Sequence, residues 1–292
     1  MEFTFGIITV KGSARLPSGQ IRKDALNIHL PELLDSIIAL NIPQNKFEIV
    51  IVGGDEPIAL WDSYEKFRDL IVWVPFDESI RHGWISKKKN LITSNSRFEN
   101  IVFLNDYYKF HPKWYEGFLK FGNNWDVCMN IKVSQEGVRF RDWIAWDDPV
   151  LCFHQNLRIG YAPWKQSSLG KNHRVVNVPY SYDQHEFLYI SGGYWVAKKE
   201  LMETFPLDEN FGWGQSEDVE WSKRWLSLKK YKYKMNTLSA VYLLKSKRLS
   251  CGYSLDGHSL DSGDQLLGSK SGIPAIWKDT GWENKYINQG DE

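Results

Sequence analysis

The sequence predicts an α/β fold with a mainly parallel central sheet flanked by helices. Residues 3–10 (FTFGIITV) and 47–52 (FEIVIV) are short apolar runs typical of buried strands. Between them, residues 29–40 (HLPELLDSIIAL) repeat leucine and isoleucine at helical spacing, with a proline tolerated in the first turn. A strand, helix, strand order favours a parallel pair with a right-handed crossover.

The same alternation of strands and helices continues along the chain. Further strands are predicted at residues 69–74, 99–104, 125–133, 186–190 continuing through 194–196, and, as one strand or a pair, at 231–244. Further helices are predicted at residues 86–94, 112–121, 198–204 and in the second half of 211–225. Residues 134–182 lack clear periodicity, and long irregular stretches of this kind are usually functional insertions.

Composition excludes several classes of protein. The 292 residues suffice for one large α/β domain, alone or with an extension. The 36 basic and 36 acidic residues cancel, so a non-specific nucleic-acid binder is not expected. Three widely spaced cysteines without a CxxC pair argue against a disulfide framework and a structural zinc site. The 14 Trp and 14 Tyr are many for this length and provide either stacking surfaces for sugars and bases or core.

The chain shows no targeting or membrane signal. Its first residues (MEFTFGIITVKG) have neither a basic lead nor a small-residue cleavage site. No apolar run approaches the roughly 20 residues that a transmembrane helix needs. We therefore expect a cytoplasmic protein, and peripheral association with a membrane stays open.

Polar residues follow several predicted strands, where parallel sheets bind their ligands. Thr9 and Lys11 stand at the end of the first strand, and Asp55 follows the second. Asn105 and Asp106 follow the fourth. Aspartate and threonine are also common turn residues, so each position by itself indicates little.

A run of lysines begins the helix predicted at residues 86–94. Lys88 and Lys89 follow Lys87 there, and positive charge at a helix start opposes the helix dipole. A nearby anionic group would relieve this repulsion. The other interpretation is a solvated basic turn, which we favour for Lys87.

Two glycine-containing stretches complete the set of candidate residues. Gly192 and Gly193 permit a close approach of the backbone to a ligand or to another strand. Residues 211–225 (FGWGQSEDVEWSKRW) place Trp213 in a glycine-rich loop and the acid pair Glu217 and Asp218 at a helix start. Acidic residues are also favoured there as ordinary helix caps, so the pair alone does not indicate a function.

Taken in sequence order, these features resemble the GT-A fold of glycosyltransferases over about residues 3–225. The similarity is to the inverting family-two enzymes, and the WGxxEDxE stretch resembles the WGGEDD motif of β-1,4-galactosyltransferases. The resemblance implies a GT-A domain at residues 1–245, with a nucleotide-sugar-binding half (1–125) and an acceptor-binding half (126–245). Residues 246–292 would then be a C-terminal extension that closes the active site.

This resemblance implies transfer of a sugar, with inversion, from a UDP- or GDP-sugar to a hydroxyl of a glycan or another acceptor. Asp218 would be the general base, and Glu217 would hold an acceptor hydroxyl. The donor would be bound by Thr9, Lys11, Asp55, Lys88, Lys89, Asn105 and Asp106. The acceptor would be bound by Trp213, Gly192 and Gly193.

The resemblance also implies a divalent cation, Mn²⁺ or Mg²⁺, at the donor diphosphate. Asn105-Asp106-Tyr107 stands where the family has a D-x-D motif, and it supplies one carboxylate in place of two. Asp106 would hold the cation through oxygen, with His258 as a second ligand. Alternatively, Lys88 or Lys89 and Arg81 would neutralise the diphosphate without a metal.

Two other functions stay open. A sugar nucleotidyltransferase would carry a glycine-rich basic loop after the first strand, which residues 11–19 resemble, but the acid pair would then be unexplained. A catalytically inactive carbohydrate-binding protein is the other alternative, because the second acid of the D-x-D motif is missing.

Overall fold

The structure is a computed structural model, and it describes most of the chain. The described residues are 1–9, 14–15, 21–22, 29–54, 56–81, 83–134, 139–146, 175–177, 180, 187–212, 215–244 and 253–254. None of the helices in these ranges combines the length and the apolar character needed to cross a membrane.

Helices and strands alternate along these ranges. The strands are β1 (Phe3–Ile8), β2 (Ala14–Arg15), β3 (Ile21–Arg22), β4 (Phe47–Gly53), β5 (Ile71–Pro75), β6 (Asn100–Asn105), β7 (Tyr108–Phe110), β8 (Val127–Val133), β9 (Ile144–Trp146), β10 (Val175–Asn177), β11 (Leu188–Tyr189), β12 (Tyr194–Lys198), β13 (Tyr233–Leu243) and β14 (Tyr253–Ser254). The α-helices are α1 (Leu30–Ile38), α2 (Ile58–Trp61), α3 (Ile85–Asn95), α4 (Trp114–Phe121), α5 (Lys199–Thr204) and α6 (Glu217–Leu226). Short 3₁₀ helices span Gln44–Lys46 and Asp62–Leu70.

Eight strands form the central sheet, in the order β5-β4-β1-β6-β12-β8-β13-β7. The strands β5, β4, β1 and β6 are parallel, and β8 is parallel to β13. Only β12 and β7 pair antiparallel to their neighbours within this sheet. The predicted α/β class with a mainly parallel sheet is therefore confirmed, including the β1-α1-β4 unit at its start.

Both faces of the sheet are buried, which explains why its strands are continuous apolar runs. On one face, Phe3 and Phe5 pack against Trp114, with the ring centroids of Phe3 and Trp114 5.0 Å apart. On the other face, Trp195 packs against Trp221, with centroids 6.2 Å apart. Many of the aromatic residues thus fill the core, which was one of the two interpretations of their number.

Strands occur in both residues 186–190 and residues 194–196, but the prediction that one strand continues through both ranges is wrong. Residues 188–189 form β11, which belongs to a separate sheet of order β11-β9-β10-β14, whereas β12 lies in the central sheet antiparallel to β6. A turn containing Gly192 and Gly193 separates the two strands. Apolar residues on both sides of this turn continue the strand pattern, so the sequence alone hides the change of direction.

Two further elements differ from the prediction. Residues 108–110 form β7, an edge strand paired with β13 that the sequence pattern did not indicate. The region predicted at residues 231–244 as one strand or a pair is the single strand β13, and its pairing with β8 shifts register between Asn236 and Ala240. The division into donor half, acceptor half and C-terminal extension stays a prediction, since only residues 253–254 of the extension are described.

Candidate active site

The carboxyl ends of β1, β4 and β6 meet at one edge of the sheet, where two of the predicted donor residues touch. The hydroxyl of Thr9 donates to Oδ2 of Asp106 over 2.7 Å. Gly53 ends β4 beside them, and a Cβ at this position would lie 2.4 Å from the Thr9 methyl group. Glycine at position 53 therefore permits the contact between Thr9 and Asp106.

The lysines at the start of α3 pair with carboxylates of the chain itself. The half-exposed Lys87 lies 3.0 Å from Oε2 of Glu209. Lys88 is only 1% exposed, forms a salt bridge with Glu78 and donates to the backbone oxygen of Thr9 over 2.8 Å. Carboxylates of the protein itself thus relieve the repulsion between these lysines and the positive end of the helix dipole.

Two carboxylates at this edge of the sheet act on the charge of Lys88. Burial lowers the pKa of Lys88, whereas the negative charges of Glu78 and Asp106 raise it. We did not predict Glu78 from the sequence, although residues 76–78 directly follow β5. The carboxyl end of β5 lies at the same edge of the sheet as that of β4. The criterion that selected Asp106, a polar residue after a parallel strand, would therefore also have found Glu78.

Lys89 occupies a second buried position, 2% exposed, on the side of α3 that faces the acid pair. Its ammonium group donates to the backbone oxygen of Gly192 over 2.9 Å and lies 3.4 Å from Oε1 of Glu217. The same group lies 4.4 Å from the centroid of the Trp195 ring, a cation-π distance. The donor-binding roles of Lys88 and Lys89 stay predictions, but both ammonium groups already bind groups of the chain.

The two-glycine turn before β12 joins the predicted donor side to the acid pair. The amide of Asn105 donates to the backbone oxygen of Gly193 over 3.2 Å. The amide of Gly192 donates to Oδ2 of Asp218 over 2.8 Å. A Cβ at position 192 would lie 2.9 Å from this oxygen and 3.0 Å from Oε1 of Glu217. The close approach of both carboxylates therefore requires glycine here.

Two tyrosines that we did not predict line the other side of this turn. The rings of Tyr107 and Tyr108 stack with centroids 5.1 Å apart. The side-chain amide of Asn105 donates to the Tyr107 hydroxyl. A Cβ at position 193 would lie 2.7 Å from the Tyr108 hydroxyl. Asn105 thus holds an aromatic pair beside Asp106, in addition to the turn.

The acid pair begins α6. Ser216, directly before it, has a left-handed φ of 64°, which turns the chain into the helix. Glu217 is 5% exposed and directed at Lys89, whereas Asp218 is half-buried. Oδ1 of Asp218 accepts the amide of Val219 over 2.9 Å. Two backbone amides therefore orient Asp218, the more accessible of the two carboxylates.

Burial and the adjacent Asp218 carboxylate raise the pKa of Glu217 to about 7, and the nearby ammonium group of Lys89 opposes this rise. Two carboxylates in sequence repel one another when both are ionised. The charge of this pair therefore changes near neutral pH, a range in which ordinary glutamates do not titrate.

Four of the predicted site residues lie outside the described ranges: Lys11, Asp55, Trp213 and His258. Arg81, proposed as an alternative partner of the diphosphate, instead donates to the backbone oxygens of Glu209 and Asn210, each over 2.7 Å. It thereby holds the segment that leads to Trp213.

The described residues allow a partial test of the implied divalent cation. Among them, no three side chains of the types His, Cys, Asp and Glu are grouped to hold a metal ion. Mg²⁺ is commonly bound by one or two carboxylates, with waters and substrate phosphates at the other positions. The single carboxylate of Asp106 at the sheet edge fits a cation of this kind that is shared with a diphosphate.

Similar proteins are found by structure but not by sequence. No protein-family model matches the chain, and no curated protein matches it in sequence. The solved structure of GalNAc-T7 with UDP, GalNAc and Mn²⁺ is similar, with a TM-score of 0.55 and 13% identity, over 88% of this chain and 45% of that one. The chain has the GT-A fold.

A second similar structure supports this fold. The mannosyltransferase PcManGT from Pyrobaculum calidifontis, in complex with GDP-Man and Mn²⁺, has a TM-score of 0.51 and 15% identity, over 85% of this chain and 58% of that one. For the 1–349 fragment of TarS from S. aureus, the TM-score is 0.46 at 14% identity, too low for an inference about fold. The chain spans between 45% and 59% of the length of these three structures. The predicted GT-A type of sheet is thus confirmed.

Proposed function

We propose that this GT-A protein is a glycosyltransferase that moves a sugar from a nucleotide-diphosphate sugar to an acceptor hydroxyl with inversion. The two-glycine turn is the observation that carries the proposal. It is hydrogen-bonded to Asn105, the neighbour of Asp106, and to Asp218. A carboxylate at the donor edge and an acid pair at a helix start thus belong to one site. The similar structures that hold UDP or GDP-Man support a nucleotide sugar as the donor.

The proposed donor diphosphate lies at the sheet edge formed by Thr9 and Asp106. The Thr9 hydroxyl orients the Asp106 carboxylate, and the ammonium group of Lys88 lies beside it. A divalent cation held by Asp106 would neutralise the charge that develops on the leaving diphosphate. Mn²⁺ in both similar structures supports this choice of cation. Lys11 and Asp55 stay predicted contacts of the nucleoside, and His258 stays a predicted second ligand.

Asp218 is the proposed general base. Its carboxylate accepts the proton of the acceptor hydroxyl as that oxygen bonds to the anomeric carbon. The bond from the anomeric carbon to the diphosphate breaks, and the nucleoside diphosphate leaves with the bonding electrons. Asp218 is more exposed than Glu217, and the Gly192 amide fixes one of its oxygens. Trp213 as a stacking surface and Glu217 as a contact of the acceptor stay predictions.

A ligand screen followed by a transfer assay tests this function. We expect one of the UDP, GDP, dTDP or CMP sugars to raise the unfolding midpoint, more strongly with Mn²⁺, because a ligand of the native state stabilises it. The sugar that binds should then be transferred to hydroxyl acceptors, and NMR of the product should show the anomeric configuration inverted. A retained configuration contradicts the inverting mechanism, and no midpoint shift with any nucleotide sugar contradicts the function.

The same screen distinguishes the two alternatives. A carbohydrate-binding protein is indicated if a glycan raises the unfolding midpoint but no nucleotide sugar is turned over. This alternative is considered because Asp106 supplies a single carboxylate. Release of pyrophosphate from a nucleoside triphosphate and a sugar phosphate indicates a nucleotidyltransferase. The loop at residues 11–19 that motivates the latter is described only at residues 14–15.

A further inference from the structure

We propose that Lys89 is a positioning residue for the acid pair: its buried ammonium group fixes the Gly192 backbone and the Glu217 carboxylate, so that the Gly192 amide meets Asp218. This inference rests on the proposed role of Asp218 as the general base. It replaces the contact with the donor diphosphate that the sequence suggested for Lys89.

The contacts of Lys89 all lie within the chain and on three different elements. The ammonium group donates to the carbonyl of the two-glycine turn, contacts the first residue of α6 and lies over the Trp195 ring of β12. A charge that is 2% exposed is stable only when such polar partners replace water. The ammonium group therefore connects α3 to the turn, to α6 and to β12 at one point.

The position of Gly192 explains how this connection reaches Asp218. The carbonyl of Gly192 accepts from Lys89, and the amide of the same residue donates to Asp218. Because both groups belong to one residue, an anchor on the carbonyl also limits the position of the amide. No side chain at position 192 supports this backbone, so the ammonium group supplies a restraint that glycine itself lacks.

Charge gives Lys89 a second effect on the acid pair. Burial and the adjacent Asp218 carboxylate raise the pKa of Glu217, and the ammonium group of Lys89 lowers it. Without this positive charge, Glu217 would keep its proton to a higher pH. Lys89 therefore controls both the geometry of the pair and the pH at which its total charge changes.

Lys198 offers a matched control for this role. Its ammonium group is also buried, donates to Glu99 and Asn100 over 2.8 Å each and lies 4.6 Å from the centroid of the Trp125 ring. However, Lys198 pairs with the first residue of β6, at the edge of the sheet opposite the candidate site. Replacing Lys198 thus removes a similar lysine without touching the acid pair.

The kinetic experiment compares Lys89→Met with Lys198→Met. We expect kcat to fall by roughly 10- to 100-fold in Lys89→Met, the scale of a displacement of about 1 Å in a catalytic group. The Kd of the donor should stay unchanged, and the inflection of the pH profile of kcat near neutral pH should move upward. In Lys198→Met, kcat and the inflection should both stay as in the wild type. Equal losses in both variants, or an unmoved inflection in Lys89→Met, overturn the proposal.

A second measurement is independent of activity. Glycine labelled with ¹⁵N reports the Gly192 amide, identified by the signal that Gly192→Ala removes. Its hydrogen exchange should become faster in Lys89→Met and stay slow in Lys198→Met. If the wild type transfers no sugar, the proposed function fails, whereas unchanged exchange of Gly192 in Lys89→Met overturns the role of Lys89.

If Lys89→Met does not fold, Lys89→Gln takes its place as the test. The glutamine side chain can still donate to Gly192 but lacks the positive charge. The inflection of the pH profile should therefore move upward, while the hydrogen exchange of the Gly192 amide stays slow.

Discussion

The amide of Gly192 lies 2.8 Å from Oδ2 of Asp218, and a Cβ on Gly192 would lie 2.9 Å from the same oxygen. The backbone of the turn before β12 therefore contacts a side-chain carboxylate at the start of α6 directly. This contact joins the sheet edge that carries Asp106 to the carboxylate proposed as the general base.

We expect Gly192→Ala to impair catalysis more than stability. The new methyl group would force the carboxylates of Glu217 and Asp218 to move by a few tenths of an ångström or more, because real Cβ contacts are longer than 2.9 Å. We expect kcat to fall by roughly tenfold or more, since catalytic groups must be held in place. Steady-state kinetics and thermal unfolding measure the two effects.

Gly122→Ala is the control for this substitution. Gly122 ends α4 with a φ of +82°, and no atom lies within 4 Å of a Cβ at this position. Its ψ of −176° puts the residue in a backbone region that is essentially restricted to glycine, so alanine there should lower the free energy of unfolding by roughly 1–3 kcal/mol, with kcat unchanged. The same pattern in Gly192→Ala would contradict the importance of the contact with Asp218.

Asp218→Asn should lower kcat by roughly two orders of magnitude or more, the usual effect of losing a general base. The amide side chain has one accepting oxygen, which can still accept from the Gly192 amide but not also from the Val219 amide. It cannot take the acceptor proton. Donor affinity, measured by calorimetry, should stay within about twofold, because the donor is proposed to bind at Asp106, away from Asp218. Glu220→Gln on the same helix is the control, since Glu220 pairs with Arg224 at 2.6 Å. Near-normal turnover in Asp218→Asn removes Asp218 from the mechanism.

Asp106→Ala should weaken donor binding in the presence of Mn²⁺. The substitution removes the carboxylate that Thr9 orients and that fits the shared cation. We expect the Kd of the nucleotide to rise by roughly tenfold or more with Mn²⁺ and to change much less without it. Asp126→Asn serves as control, because Asp126 accepts from the amide of Lys232 near the start of β8. Unchanged affinity with Mn²⁺ in calorimetry argues against a metal at Asp106.

Glu217→Gln should change the pH dependence of stability in a defined direction. The pKa of Glu217 is raised from 4.5 to about 7 in the folded protein, so the folded state binds this proton more tightly than the unfolded chain does. Its contribution to stability is therefore present below the unfolded pKa and is lost as pH rises through about 7. Relative to the wild type, Glu217→Gln should gain stability between about pH 5 and about pH 8.

Unfolding in urea at several pH values measures this difference. Glu99→Gln is the comparison, because the hydrogen bond from Lys198 lowers the pKa of Glu99. The stability of Glu99→Gln relative to the wild type should therefore fall as pH rises, opposite in sign to the change for Glu217→Gln. The change should also be smaller, since Glu99 is largely exposed. If the difference in the free energy of unfolding between the wild type and Glu217→Gln does not change with pH, Glu217 does not retain its proton in the folded state.

The sequence predicted the sheet edge that carries Thr9 and Asp106, because parallel strands place their carboxyl ends together. Thr9 and Asp106 are 97 positions apart, yet each follows an apolar run, and this local pattern sufficed to predict that both lie at one sheet edge. Glu78 satisfies the same criterion, since it follows β5. The acid pair was likewise visible as two carboxylates at a helix start.

The partners of the lysines could not be read from the sequence. Lys88 and Lys89 are adjacent and chemically identical, but one binds Glu78 and the other binds Glu217. Neighbouring residues on a helix point about 100° apart, so the packing of α3 between the sheet edge and α6 decides which partner each lysine meets. Lys87, for which a solvated basic turn was the favoured interpretation, lies in α3 half-exposed and pairs with Glu209.

The sequence by itself determined the α/β class, the strands that meet at the sheet edge of Thr9 and Asp106, and the acidic start of α6. These features depend on local apolar patterns and on residues at strand and helix ends. Only the tertiary structure decided that the two-glycine turn lies between Asn105 and Asp218 and that Lys89 is buried against Glu217. Such contacts join distant segments, and they form only when the packing of the sheet and helices brings those segments together.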